Sequence, residues 1–134
     1  MLQEMIAEGF GNQEDYNCAE KIFYGANKAY NMGLDAAALK LSAAFGGGMG
    51  IESVCGALTG GVMALSSLYV KERGHESSRI KELTRELFAN FKQELGEIEC
   101  APLKSRYRTP EEKCNRVILA AAKALDAVVE KHGR

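Results

Sequence analysis

The chain has no tryptophan, only two prolines among 134 residues, and no surplus of either charge. Its 17 basic and 18 acidic residues leave a formal net charge of -1 and a pI near 6.1. Without a basic surplus there is no electrostatic footprint for nucleic acid or an anionic membrane, and neither is expected as a partner. With few prolines to punctuate it, and with much Ala, Leu, Glu and Lys, the chain favours helix throughout. No stretch alternates polar and apolar residues as a half-buried strand does, and no low-complexity tract or internal repeat stands out. The start, Met1 to Gly9, lacks the basic segment and long apolar core of a secretion signal, so a cytoplasmic location is expected. Ser53 to Val70 carries no charge over 18 residues, the threshold length for a membrane span. Gly56, Thr59, Gly60, Gly61, Ser66 and Ser67 dilute its apolarity, and it reads instead as the buried central helix of a soluble bundle, with no membrane span.

A further absence concerns the four cysteines. Cys18, Cys55, Cys100 and Cys114 are separated by 37, 45 and 14 positions, with no C-x-x-C anywhere. That spacing excludes a thioredoxin-type motif and paired zinc knuckles; any joint site must be assembled by the tertiary fold, one cysteine per element. In a reducing compartment standing disulfides are disfavoured, and catalytic or metal-binding roles gain weight.

What is present fits one all-helical domain spanning residues 1–134. Hydrophobic residues make up 46% and charged residues 26%, the proportions of a soluble globular protein. The pattern predicts a bundle of four main helices plus one or two short ones. A short helix over Gln3 to Ala7 is followed by Asp15 as the N-cap of a long helix, Tyr16 to Asn31, whose apolar stripe contains Cys18, Ile22, Ala26 and Ala29. Gly33 ends it, and Asp35 caps a short helix, Ala36 to Phe45. The run Gly46-Gly47-Gly48-Met49-Gly50 then leads into the central helix, expected from Ile51 to about Lys71. Ser77 or Ser78 caps an amphipathic helix with Ile80, Leu83, Leu87, Phe88, Phe91 and Leu95 inward, closed by Gly96. Glu97 to Arg108 reads as a polar connection. Thr109-Pro110-Glu111-Glu112 reads as a capping box with proline at the first helical position, opening a last helix that runs to about Lys131.

On this reading Cys18, Cys55 and Cys114 lie near helix starts, where unsatisfied N–H groups and the helix dipole favour a thiolate. Cys100 lies in the connection near Lys104, Arg106 and Arg108, which act in the same direction. All four are candidate catalytic thiols and candidate metal ligands, with Cys18 and Cys55 placed in an inner site and Cys100 and Cys114 in a mobile half. Gly56 and Gly60 are candidate cofactor-binding positions, because glycine lets a neighbour approach closely. His75 and His132 read as solvent histidines. Lys104, Arg106 and Arg108 offer charge to an anion or an acidic partner, although a solvated loop is the plainer reading. The glycine run is not a phosphate loop, since no Gly-Lys-Ser/Thr follows it and no strand precedes it.

Cys18, the stretch Cys55-Gly56-Ala57-Leu58-Thr59-Gly60, Cys100 and Cys114 together resemble the C_GCAxxG_C_C family of putative redox-active proteins. The Asn17-Cys18 pair and the glycine run before Cys55 are similar to that family too. The resemblance covers nearly the whole chain and implies a redox role carried by the four cysteines. Two chemistries remain open on the residues. One is thiol–disulfide exchange with a redox partner protein. The other is a cysteine-ligated zinc or iron–sulfur site, either form being an oxidoreductase in the broad sense. The competing reading is a non-catalytic helical interaction module that dimerises through a small-residue line such as Gly56/Gly60/Ala64, with the cysteines as core residues.

Overall fold

The fold is seen in a computed structural model that describes residues 1–133. Seven α-helices are present among the described residues: α1 (Leu2–Ala7), α2 (Cys18–Ala29), α3 (Ala36–Leu39), α4 (Gly56–Tyr69), α5 (Arg79–Leu95), α6 (Cys100–Tyr107) and α7 (Asn115–His132). The long ones, α2, α4, α5 and α7, form the expected bundle, and there is no strand among the described residues. No helix among them is long and apolar enough to cross a membrane.

The central helix is α4, and its small residues are what let the bundle close. A Cβ on Gly60 would lie 2.6 Å from the backbone oxygen of Ala19, so glycine is needed there for α2 to lie against α4. A Cβ on Gly61 would lie 3.0 Å from Leu87 of α5. The close-packing line Gly56/Gly60 is therefore used inside the chain, against α2, and is not offered to a second copy. Leu83, Leu87, Phe91 and Leu95 of α5 and Val117, Ile118, Ala121, Leu125 and Val128 of α7 close the core. Each large side chain among them stabilises the fold by about 1.5–3 kcal/mol relative to leaving it exposed.

Several element boundaries differ from expectation. Asp15 does not cap α2; its backbone is left-handed (φ 60°), and Asn17 caps the helix. The Asn17 Oδ1 accepts from Glu20 N at 3.0 Å while Asn17 N donates to Glu20 Oε1 at 2.9 Å, a reciprocal capping box. The α-helix after Asp35 stops at Leu39 and tightens into a 3-10 turn, Lys40–Phe45. The central helix starts at Gly56, not Ile51, and ends at Tyr69. Cys100 opens a helix rather than sitting in a connection. The last helix starts at Asn115, because the chain turns left-handed at Lys113 (φ 54°). Gly96 ends α5 in the left-handed conformation as expected (φ 81°).

One buried carboxylate ties α1 to the bundle. Asp126 of α7, 6% exposed, accepts from Leu2 N at 3.0 Å, Gln3 N at 2.9 Å and Tyr30 Oη at 2.6 Å. It caps α1 from another helix, satisfying two of the amide donors that any helix start leaves open. Burial, with the hydrogen bond to Asp126 second, holds the Tyr30 phenol protonated far above its ordinary range. Replacing Asp126 by alanine is expected to cost about 2–4 kcal/mol, because it strands the buried Leu2 N–H and Tyr30 hydroxyl and the part-buried Gln3 N–H. Urea unfolding checks the magnitude. Hydrogen exchange should show Leu2 and Ile6 losing protection before α5 and α7; an unchanged midpoint would mean that α1 is held by packing alone.

Candidate functional site

Every cysteine sits at the start of a helix. Cys18 is the first residue of α2 and Cys100 the first of α6; Cys55 is the N-cap of α4 and Cys114 the N-cap of α7. The four helix starts converge on one cavity of about 700 Å³, and all four cysteines line it. None is in a disulfide; all are free thiols.

Two local devices bring these starts together. The first joins Cys55 to Cys100. Val54 and Glu99 form an isolated antiparallel bridge, with Cys55 N donating to Ile98 O at 2.8 Å and Cys100 N to Ser53 O at 2.6 Å. The two cysteines flank one short piece of two-stranded ladder and point to the same side of it. The second device is the glycine run, which folds back over the cavity. Gly47, Gly48, Met49, Gly50 and Glu52 all have positive φ, and Ser53 N closes the turn on Gly48 O at 3.1 Å. A Cβ on Gly48 would collide with the backbone of Ser53 and lie 2.9 Å from Cys100 Cβ. Asn17 Nδ2 anchors the chain before the turn by donating to Ala43 O at 2.8 Å. Unlike a helix start, this turn throws Ile51 out to 76% exposure.

Gly56 lines the cavity, where a Cβ would lie 2.5 Å from Cys18 Sγ and 2.8 Å from Phe45 O. It is therefore what lets the Cys18 sulfur sit against the start of α4, beside Cys55. Gly60 lies one turn further along, packed on the α2 backbone and away from the cavity lining.

The thiols differ in exposure and in neighbours. Cys55 and Cys100 are the buried pair, 5% and 8% exposed; Cys18 and Cys114 are half-buried. The division into an inner Cys18/Cys55 site and a mobile Cys100/Cys114 half is thus redrawn, because the bridge locks Cys100 to Cys55. Cys114 Sγ accepts from the Arg108 guanidinium at 3.5 Å.

Helix starts do not lower Cys18 and Cys55, nor basic neighbours Cys100, as the sequence suggests. Burial raises Cys18, although the Gly47 N–H donated to it acts the other way. Burial pushes Cys55 up to about 12, with Cys18 adding to the rise and the N–H groups of Ala57 and Leu58 opposing it. Burial also raises Cys100, against the pull of Lys104. Magnitudes decide the sign. A helix terminus is worth about 0.3–1 kcal/mol, less than one pKa unit, whereas burial shifts a group by up to about 3–5 units.

Four sulfurs facing one cavity, with backbone N–H groups turned towards two of them, are chemically suited to a soft metal or cluster. Their arrangement is not that of a chelate. Among the described residues no group of three or more His, Cys, Asp or Glu stands so as to hold one metal ion. Neither histidine lines the cavity: His75 is exposed, and His132 Nε2 lies 2.9 Å from Glu86 Oε2 at the far end of α7. Of the basic trio, Lys104 and Arg108 line the cavity and Arg106 does not; Lys104 is paired with Glu52 at 2.8 Å. The sequence reading passed over Lys21 and Lys113 and took Asp15 only as a cap. All three line the cavity, and only their nearness to Cys18 and Cys114 in the sequence hinted at it.

Fold and site together define a class: a helical bundle that presents four thiols, one per helix start, to a common cavity. The chain belongs to the C_GCAxxG_C_C family, described as putative redox-active protein, which it matches over residues 16–128. The matched span contains all four cysteines and leaves α1 outside. No match was found among curated proteins or among solved structures.

Proposed function

We propose that the cavity carries out two-electron thiol–disulfide chemistry. The observation that carries this reading is the convergence of four free thiols on one cavity, graded from the half-open Cys114 to the buried Cys55. Cys114, the thiol touched by a guanidinium, attacks an external disulfide as its thiolate. One half of that disulfide leaves as a thiolate, and the other half stays bonded to Cys114 Sγ. Cys18 then gives up its proton and attacks Cys114 Sγ. The second half leaves as a thiol, and a Cys18–Cys114 disulfide remains. Two electrons pass from the protein to the substrate, and a reducing dithiol of a partner returns them.

The thiol count tests this. The reduced, folded protein starts with four reactive thiols in denaturant. After treatment with a small disulfide and removal of excess, it should show two, with a mass loss of two hydrogens and full recovery by dithiothreitol. Four thiols surviving the treatment would overturn the reading. The metal-site reading is favoured only by the N–H groups facing Cys18 and Cys55. Anaerobic purification that yields stoichiometric bound metal or a visible cluster spectrum would put it first.

A further inference from the structure

The rim of the cavity carries charges of both signs; of its cations, Lys21 donates to Asn12 Oδ1 at 2.6 Å and Arg108 to Cys114 Sγ at 3.5 Å. Lys21, Arg108 and Lys113 supply cations; Asp15, Glu111 and Glu112 supply carboxylates. Among the described residues, the side chains of Asp15, Glu111, Glu112 and Lys113 take part in no hydrogen bond or salt bridge. Lys21 and Lys113 are close enough that, after burial, Lys113 is the next cause lowering the Lys21 ammonium, while Asp15 acts the opposite way.

Two of these residues hold unfavourable backbone. Asp15 has φ 60° and Lys113 φ 54°, in the left-handed region that costs a side-chain-bearing residue about 1–2 kcal/mol. Lys113 is kept there by reciprocal bonds with Thr109, at 2.7 Å and 3.2 Å. Asp15 lies three residues before Cys18, and Lys113 immediately precedes Cys114. Strain of this kind collects where a side chain must be aimed at a ligand. Here it places Asp15 and Lys113 in the lining of the cavity that the two outer thiols share.

Size points the same way as charge. A cavity of about 700 Å³ is in the range of small-molecule sites. Two of its thiols are buried and two half-buried, an arrangement that suits a free small disulfide better than one held in a folded protein surface.

Resting on the thiol–disulfide reading above, we propose that the substrate is a low-molecular-weight disulfide with zwitterionic amino-acid or short-peptide halves. Lys21, Arg108 and Lys113 meet its carboxylates, and Asp15, Glu111 and Glu112 meet its ammonium groups. One substrate disulfide plus the Cys18 and Cys114 thiols give two small thiols and the Cys18–Cys114 disulfide, so atoms and electrons balance.

The test follows single-turnover oxidation of the reduced protein by four probes: cystine, glutathione disulfide, neutral bis(2-hydroxyethyl) disulfide and the disulfides of insulin. The zwitterionic probes should saturate and exceed the neutral one by about tenfold or more in rate over half-saturating concentration, with insulin slowest. Lys113→Asn, which keeps a residue tolerant of the left-handed backbone, should cut that discrimination about tenfold through the half-saturating concentration. Asp15→Asn tests the opposite charge in the same way, and serves alone if the first variant does not fold. Equal use of the neutral probe, faster reaction with insulin, or undiminished discrimination in both variants would overturn the proposal while leaving thiol exchange standing. If none of the four probes consumes protein thiols, the thiol–disulfide reading itself fails and takes this one with it.

Discussion

At pH 8 the reduced, folded protein is expected to alkylate in order, with Cys114 first and Cys55 last, about a thousandfold slower than an ordinary cysteine. Only the thiolate reacts, so the rate follows the ionised fraction. With burial pushing Cys55 up to about 12, that fraction is ~10⁻⁴ at pH 8, against roughly one-tenth or more for an unperturbed thiol. Cys18 and Cys100, also raised by burial, should fall between. Iodoacetamide labelling read site by site by mass spectrometry gives the order; four rates within about tenfold of one another would contradict it. The same shift links to stability with a definite sign. The folded state keeps the Cys55 proton where the unfolded chain has begun to lose it. Its stabilising contribution is complete below the ordinary value of 9.0 and is lost as pH rises towards about 12. Across that window the slope approaches ~1.4 kcal/mol per pH unit for this one proton. The urea midpoint of the reduced protein should drop above pH 9, and less steeply in Cys55→Ser.

Much of this site was legible in the sequence because helix starts leave marks there. Cys18, Cys55 and Cys114 were placed near helix starts, and Gly56 and Gly60 were read as points of close approach; Cys18 Sγ and Ala19 O fill those places. The hidden parts are hidden for physical reasons. Helix α6 has no apolar period, since its one fully covered large side chain is Leu103 and its start is set by the distant Ser53 carbonyl. Pro102 sits in the first turn of α6, where its missing N–H costs nothing. Only half of the box at Thr109 forms: Glu112 N donates to Thr109 Oγ1 at 3.0 Å, but Thr109 N goes to Lys113 O, closing a turn that ends at Lys113 and not a helix. Asp15 and Asn17 are both cap-forming types; only Glu20, three residues after Asn17, separates them. The direction of the thiol shifts could not be read at all, because it depends on burial that only the assembled bundle creates.

Cys18→Ser is expected to stop the proposed reaction halfway and trap half of the substrate on the protein. Cys18 lines the cavity against the start of α4. Its sulfur lies against Gly56 at the start of α4, next to Cys55, and reaches the same cavity as Cys114. The thiol interactions say the same. After burial, Cys18 is the charge that most raises Cys55; among the thiols it also leads for Cys100, and Cys114 is its own principal thiol neighbour. If Cys114 attacks first and Cys18 resolves, serine at Cys18 leaves a stable adduct on Cys114. Its mass equals one half of the probe, and little Cys100 or Cys55 is consumed. Cys114→Ser should form no such adduct and lose most of the oxidation rate. The half-buried position of Cys114 supports this order, since the thiol that attacks first must be open to the substrate. Mass mapping of the trapped species decides the direction of flow. An adduct on Cys55 or Cys100 would reverse the sequence of thiols. Full two-thiol oxidation surviving in Cys18→Ser would remove Cys18 from the reaction and leave it as the sulfur that fills the notch made by Gly56.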